Sequence, residues 1–230
     1  MTNDRSTSAP PLAASRFFQA LWSDRDWQFI VILAILYAVG IVGITLPLHP
    51  DFVLLTPLNL LVSTLLMLLR HPSWDRRTLL FLLIAYVVGF AAELFGVQTG
   101  LLFGDYTYGQ VLGPKLWGTP LMIGVNWVLL AYAAGVLANT LLPGRHWLGR
   151  GLLAAVLMVG LDVLIEPVAI AYGFWWWEGG VVPLQNYLGW FLIALPLGVL
   201  FAVWQGHVRN KVAIALFILQ VIFFAVLAVL

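Results

Sequence analysis

The chain has 230 residues, of which 62% are hydrophobic and only 9% charged, and its formal net charge is +1. Soluble domains carry roughly 25% charged residues, so this composition excludes an ordinary water-soluble fold, and the small net charge leaves no electrostatic footprint for nucleic acid. There is no cysteine, which excludes disulfides and thiolate chemistry.

Residues 1–25 read as a cytoplasmic tail: MTNDRSTSAPPLAASR is polar and proline-bearing and lacks the apolar core of a signal peptide. Phe17, Phe18, Leu21 and Trp22, flanked by Arg16 and Arg25, read either as a short interfacial helix or as a lead-in to the first span. A helix needs about 20 apolar residues to cross roughly 30 Å of hydrocarbon. Seven stretches qualify, 27–48, 52–69, 78–96, 119–142, 150–173, 187–205 and 210–230. The expected fold is therefore an all-α integral membrane protein, a single seven-helix transmembrane domain over 26–230.

Orientation follows from the basic residues. With the N-terminus inside, Arg5, Arg16, Arg25, Arg70, Arg76, Arg77, Arg145, Arg150, Arg209 and Lys211 are cytoplasmic, and Lys115 alone is outside. An odd number of spans then puts the C-terminus outside. A prokaryotic cytoplasmic membrane is the expected location. Two long outer loops result, 97–118 and 174–186, both rich in glycine and aromatic residues. Each ends in a Pro-Leu pair, at Pro120 and Pro183, expected to open the next helix. Glu93 with Pro120 and Trp127, and Glu166 with Pro183 and Trp190, suggest an internal repeat.

Ionisable groups inside a span are costly and mark function by default. Asp162 and Glu166 are four residues apart on one helix face. At 1.5 Å per residue they lie roughly 16 Å and about 10 Å below the outer end of their span. Asn126 has a similar depth, and Glu93 is expected nearer the surface. No basic residue lies inside a span to neutralise these carboxyls, so the pair is expected to retain a proton near neutral pH. The simpler readings are hydrogen bonding between helices for Asn126 and Asn186, an interfacial anchor for Lys115, and an aromatic belt for Trp175, Trp176 and Trp177. The four histidines fall in loops or at span ends, with no arrangement for haem or di-iron. No mid-span lysine suits retinal. The outer side lacks the carboxylates and cations needed for a prenyl diphosphate. No metal site is expected.

Three segments carry a family resemblance. They are Glu93–Tyr108 with Leu112–Pro120, then Asp162 with Glu166-Pro167 and Gly173–Trp177, then Val182–Trp190. In this order they resemble the membrane carotenoid-biosynthesis proteins, a family that includes CruF-type carotenoid 1,2-hydratases and bisanhydrobacterioruberin hydratases. Where the family pattern has aspartate before the proline, this chain has Glu166, which keeps the acid and changes its reach by one methylene. The resemblance implies addition of water across the terminal C1–C2 double bond of an acyclic carotenoid end, with no cofactor. The expected substrate is lycopene, γ-carotene or a C50 carotenoid, entering from membrane lipid.

In that reading Asp162, Glu166 and Glu93 are catalytic. Tyr106, Tyr108, Asn126, Trp127, Asn186 and Trp190 contact substrate, cation or water, and Asp105 and Lys115 pin the loop by pairing. Two rival readings are a carotenoid cyclase, beginning with the same protonation, and a non-catalytic carotenoid- or lipid-binding protein.

Overall fold

The computed structural model describes residues 25–46, 49 and 51–230; residues 1–24 of the expected tail, with its interfacial segment, lie outside them. Among the described residues, seven helical segments are long and apolar enough to cross a membrane. They are α1 (Arg25–Thr45), α2 (Thr56–Leu69, preceded by a 3-10 turn over Phe52–Leu55), α3 (Arg76–Thr99), α4 (Met122–Leu141), α5 (Trp147–Ala171), α6 (Leu184–Trp204) and α7 (Lys211–Val229). Central α4 is buried on nearly every side. Outer helices turn leucines such as Leu61, Leu65 and Leu69 of α2 outward, as lipid-facing residues must be.

The ends of the helices are set by local chemistry. Asp75 caps α3 by accepting from the Thr78 amide, and Gly100 closes it at φ 67°. α3 thus runs past the expected end at 96, and Glu93 lies about 9 Å below the helix end rather than at the surface. Asn210 caps α7 through the Ala213 amide. α5 and α6 cross closely at Gly151 and Gly198, where a Cβ on Gly198 would meet the Gly151 carbonyl.

The two long loops lie on the same end of the bundle and pair with each other. β1 (Tyr106–Tyr108), from the α3–α4 connection, runs antiparallel to β4 (Trp175–Trp177), from the α5–α6 connection. Tyr106 faces Trp177 and Tyr108 faces Trp175. The ladder is extended by Gly109 N–H to the Phe174 carbonyl (2.8 Å) and Glu178 N–H to the Asp105 carbonyl (2.9 Å). Gly109 is required here, because a side chain would strike the Gly173 carbonyl. Strand alternation sends Tyr106, Tyr108, Trp175 and Trp177 into the bundle and leaves Thr107 and Trp176 exposed.

Pro120 does not open α4. It belongs to a small hairpin, β2 (Lys115–Leu116) with β3 (Thr119–Pro120), whose turn residues Trp117 and Gly118 have φ of 49° and 85°. Pro183 does stand at the start of its helix, as the residue before Leu184, so α6 begins three residues ahead of the expected 187. Asn186 therefore occupies the first turn of α6, which aims it at α5.

Candidate active site

Beneath the β1–β4 ribbon, α3, α4, α5 and α6 surround a small cavity. Its lining includes Glu93, Asn126, Asp162, Glu166, Asn186 and Trp190, together with Tyr106, Tyr108, Trp175 and Trp177 from the ribbon. The polar groups expected to converge do converge. No lysine or arginine lines the cavity.

The three carboxyls are held differently. Glu93 Oε2 accepts from the hydroxyls of Tyr106 (2.6 Å) and Tyr108 (2.7 Å), and its Oε1 accepts from Trp127 Nε1 (3.1 Å). Glu166 Oε2 accepts from Nε1 of Trp175 (3.0 Å) and Trp177 (2.8 Å), and its Oε1 accepts from Asn186 Nδ2 (3.2 Å). Asn186 Nδ2 also donates to Asp162 Oδ2 at 2.8 Å. Asp162 Oδ1, in a fully buried side chain, has no partner among the described residues. Buried polar atoms are nearly always satisfied, so this bare oxygen distinguishes Asp162 from the two saturated glutamates.

The hydroxyls of Tyr106 and Tyr108 have pKa values pushed well above the ordinary tyrosine value, first by burial and then by the adjacent Glu93 carboxyl. They remain donors throughout the usual pH range. Trp190 presents its ring to the cavity and stacks on Trp127, with centroids 4.5 Å apart and planes at 21°. Trp127 is itself wholly buried behind that ring, one layer away from the cavity, and packs on Gly89 of α3. Asn126 lines the cavity and its amide makes no hydrogen bond to the described residues.

Several sequence expectations change. Glu93 is 3% exposed and is not a solvated helix end. Asn186 of α6 does bond a neighbouring helix, as expected, and in doing so ties two carboxyls of α5 together; Asn126 makes no such bond among the described residues. Asp105 and Lys115 form no ion pair: Lys115 Nζ donates to the Tyr108 carbonyl (2.6 Å), while Asp105 lies in an outer hollow beside Thr107, Trp176 and Glu178. Lys115 thus pins β1 through its backbone. The aromatic-belt reading fails for Trp175 and Trp177, which are buried donors to Glu166, while Trp176 is exposed. The sequence signal for them is short and ambiguous: Tyr-Thr-Tyr repeats a donor-bearing aromatic at period two, the spacing of one strand face, but Trp-Trp-Trp repeats one at every position.

The chain matches the family described as "Carotenoid biosynthesis protein" over residues 53–230. A relative, the bisanhydrobacterioruberin hydratase of Haloarcula japonica, is 32% identical over 192 residues, which cover 78% of this chain and 65% of that protein. The chain thus spans just under two thirds of that relative's length. No solved structure matches it.

Proposed function

We propose that this chain, which belongs to the carotenoid biosynthesis protein family, is a hydratase that adds water to the terminal double bond of an acyclic carotenoid end, with Asp162 as the acid. The single observation that carries the assignment is the unpartnered Oδ1 of Asp162 inside a cavity walled by aromatic rings. Glu93 and Glu166 each accept three hydrogen bonds, so both oxygens of each carboxyl are already engaged by donors. A proton shared by the cluster is then held best at Asp162 Oδ1, where no donor competes for the oxygen.

Chemistry follows from that placement. The Asp162 O–H bond breaks as a C–H bond forms at C2, the C1–C2 π electrons move to the new bond, and C1 becomes a tertiary cation. The face of Trp190 and the nearby carboxylates stabilise this charge. A water held by the free Asn126 amide attacks C1. Its proton returns to the Asp162 carboxylate, so one water is added overall, the product is a tertiary alcohol and the acid is regenerated. No redox or metal step is needed. The cavity receives only an end group, and the rest of the polyene lies in membrane lipid. Lycopene, γ-carotene and C50 carotenoids all present a suitable end.

The decisive assay is incubation of purified protein with lycopene or γ-carotene followed by mass analysis of the product. Gain of one water is expected. An isomer of unchanged mass points to a cyclase, and unchanged substrate to a binding protein; either result overturns the hydratase reading. For topology we propose the N-terminus inside and the ribbon outside, on the distribution of basic residues. A reporter fused after Leu230 is expected to be active only on the outer side.

A further inference from the structure

A second hollow, a largely apolar groove, lies outside the acid cavity between α1, α2, α7 and the end of α5. Its rim includes Leu55 and Leu58, which are exposed and face lipid, and its interior is aliphatic and aromatic. The floor is different: Tyr37, Asn59 and Gln220 bring polar groups into an otherwise apolar trough. Ser63 donates to Asn59 Oδ1 (3.1 Å), and the Tyr37 hydroxyl is in polar contact with the side chains of Ser63 and Gln220. Gln220 is 3% exposed, and its Oε1 has no hydrogen-bond partner among the described residues. It sits about 14 Å along α7 from Lys211, near mid-span, where no bulk water can satisfy it.

The groove flanks the acid cavity. Val168 and Tyr172 line the groove on the face of α5 that continues from Ile165, which lines the cavity. At the ribbon, Phe174 lines the groove and its neighbour Trp175 the cavity.

We infer that this groove binds an acyclic isoprenoid carrying a hydroxyl, whose chain lies against the apolar walls and whose O–H donates to Gln220 Oε1. A hydrocarbon chain alone would fill the trough and leave the amide oxygen bare, whereas a hydroxylated chain satisfies both. The ligand class rests on the hydratase reading, because a hydroxylated chain is what that reaction produces, and the groove then retains product beside the site that made it.

The test is equilibrium binding to the full chain in nanodiscs, in an Asp162→Asn background that cannot hydrate lycopene, followed by energy transfer from tryptophan to the polyene, with two probes: lycopene and its 1-hydroxy-1,2-dihydro derivative. The hydroxylated probe is expected to bind about tenfold more tightly, the size of one hydrogen bond to a buried acceptor. Gln220→Leu is expected to abolish this preference while leaving lycopene affinity within about twofold. Leu58→Trp, which plugs the groove from its exposed rim, is expected to remove the preference without touching the floor, and it carries the test if Gln220→Leu does not fold. In this background the preference is read without the acid, and hydration is read in chains that keep Asp162. That separates the two readings: loss of hydration with the preference intact concerns the acid, and loss of the preference with hydration intact concerns the groove. Equal affinity of the Asp162→Asn chain for both probes, or a preference that survives Gln220→Leu or Leu58→Trp in that background, overturns the inference.

Discussion

The hairpin of α3, β1 and α4 holds Glu93 under Tyr106, Tyr108 and Trp127, and the hairpin of α5, β4 and α6 holds Glu166 under Trp175, Trp177 and Asn186. Each carboxyl lies in the last turns of its first helix and is gripped by two aromatic donors two residues apart on the strand that follows. The strands pair with each other, and Trp127 of one hairpin stacks on Trp190 of the other. The halves part company one helical turn deeper. Four residues before Glu93 stands Gly89, whose space is filled by the Trp127 ring, and four before Glu166 stands Asp162. Four residues before Trp127 stands Ile123, and four before Trp190 stands Asn186. The shared scaffold holds carboxyls whose oxygens all have donors; among the described residues, a buried carboxyl oxygen without a donor occurs where α5 adds Asp162.

The largest expected effect follows directly. Asp162→Asn nearly preserves size and offers no transferable proton, so hydration is expected to fall by at least about 10²-fold, the lower range for a general acid. The thermal midpoint in detergent is expected to change little, because Asn186 can reorient to serve the new amide. A near-normal rate in this variant would mean that the difference between the halves is not the chemistry.

Next come the glutamates, which are expected to behave alike despite lying in different hairpins. Glu93→Gln turns an N–H₂ group toward tyrosine hydroxyls or the Trp127 N–H, and Glu166→Gln does the same toward Trp175, Trp177 or Asn186. A donor facing donors forfeits hydrogen bonds in a buried site, at about 1–3 kcal/mol. Both variants are therefore expected to melt lower than wild type and lower than Asp162→Asn, and to lose rate as the ribbon loosens. Glu93→Gln leaving stability intact while abolishing turnover would move the acid to the first hairpin. A smaller loss of rate, at a similar cost in stability of about 1–3 kcal/mol, is expected for Gly89→Ala, whose added methyl meets the Trp127 ring and pushes it from Glu93 and Trp190 without touching a carboxyl. Trp176→Phe, on the exposed face of the same ribbon, is the control expected to change neither readout.

Much of this was legible in the chain itself. Seven apolar runs announce seven helices because hydrocarbon tolerates little else, and Asp162 and Glu166 stand out because charge is rare in oil. The ribbon was not legible. Three-residue strands carry almost no periodic signal, and their partner lies far along the chain, so Trp175 and Trp177 read as a belt although each aims an N–H at Glu166. Glu93 was placed too near the surface because the apolar run ends before the helix does; Gly100, with its positive φ, is the true stop. The Asp105–Lys115 pair failed for a similar reason: opposite charges in one loop attract attention, but Lys115 reaches a backbone carbonyl instead.

The smallest effect belongs to the opposite, basic end of the bundle, and it tests whether the comparison between hairpins is confined to the ribbon end. His71, in the connection between α2 and α3, is buried with its Nδ1 2.7 Å from the Tyr132 hydroxyl and its Nε2 3.1 Å from Thr78 Oγ1. Thr78 Oγ1 donates to Asp75 Oδ1 at 2.8 Å, so it accepts from Nε2–H, and Nδ1 is left to accept from Tyr132. This arrangement fits the neutral ring. Burial lowers the His71 pKa below its ordinary 6.5, outweighing the opposing pull of the Asp75 charge, and His207 adds to the lowering. In the window just below pH 6.5 the unfolded chain therefore binds more protons than the folded one, and stability falls as pH falls. The thermal midpoint is expected to be flat above that pH and to drop by about 2–4 °C on going down toward pH 5. His71→Gln, which supplies one donor and one acceptor and cannot titrate, is expected to flatten that limb without altering the hydration rate at neutral pH. If the slope persists in His71→Gln, it belongs to another group, and if hydration falls with it, the two ends of the bundle are coupled in a way the buried contacts of α4 would have to carry.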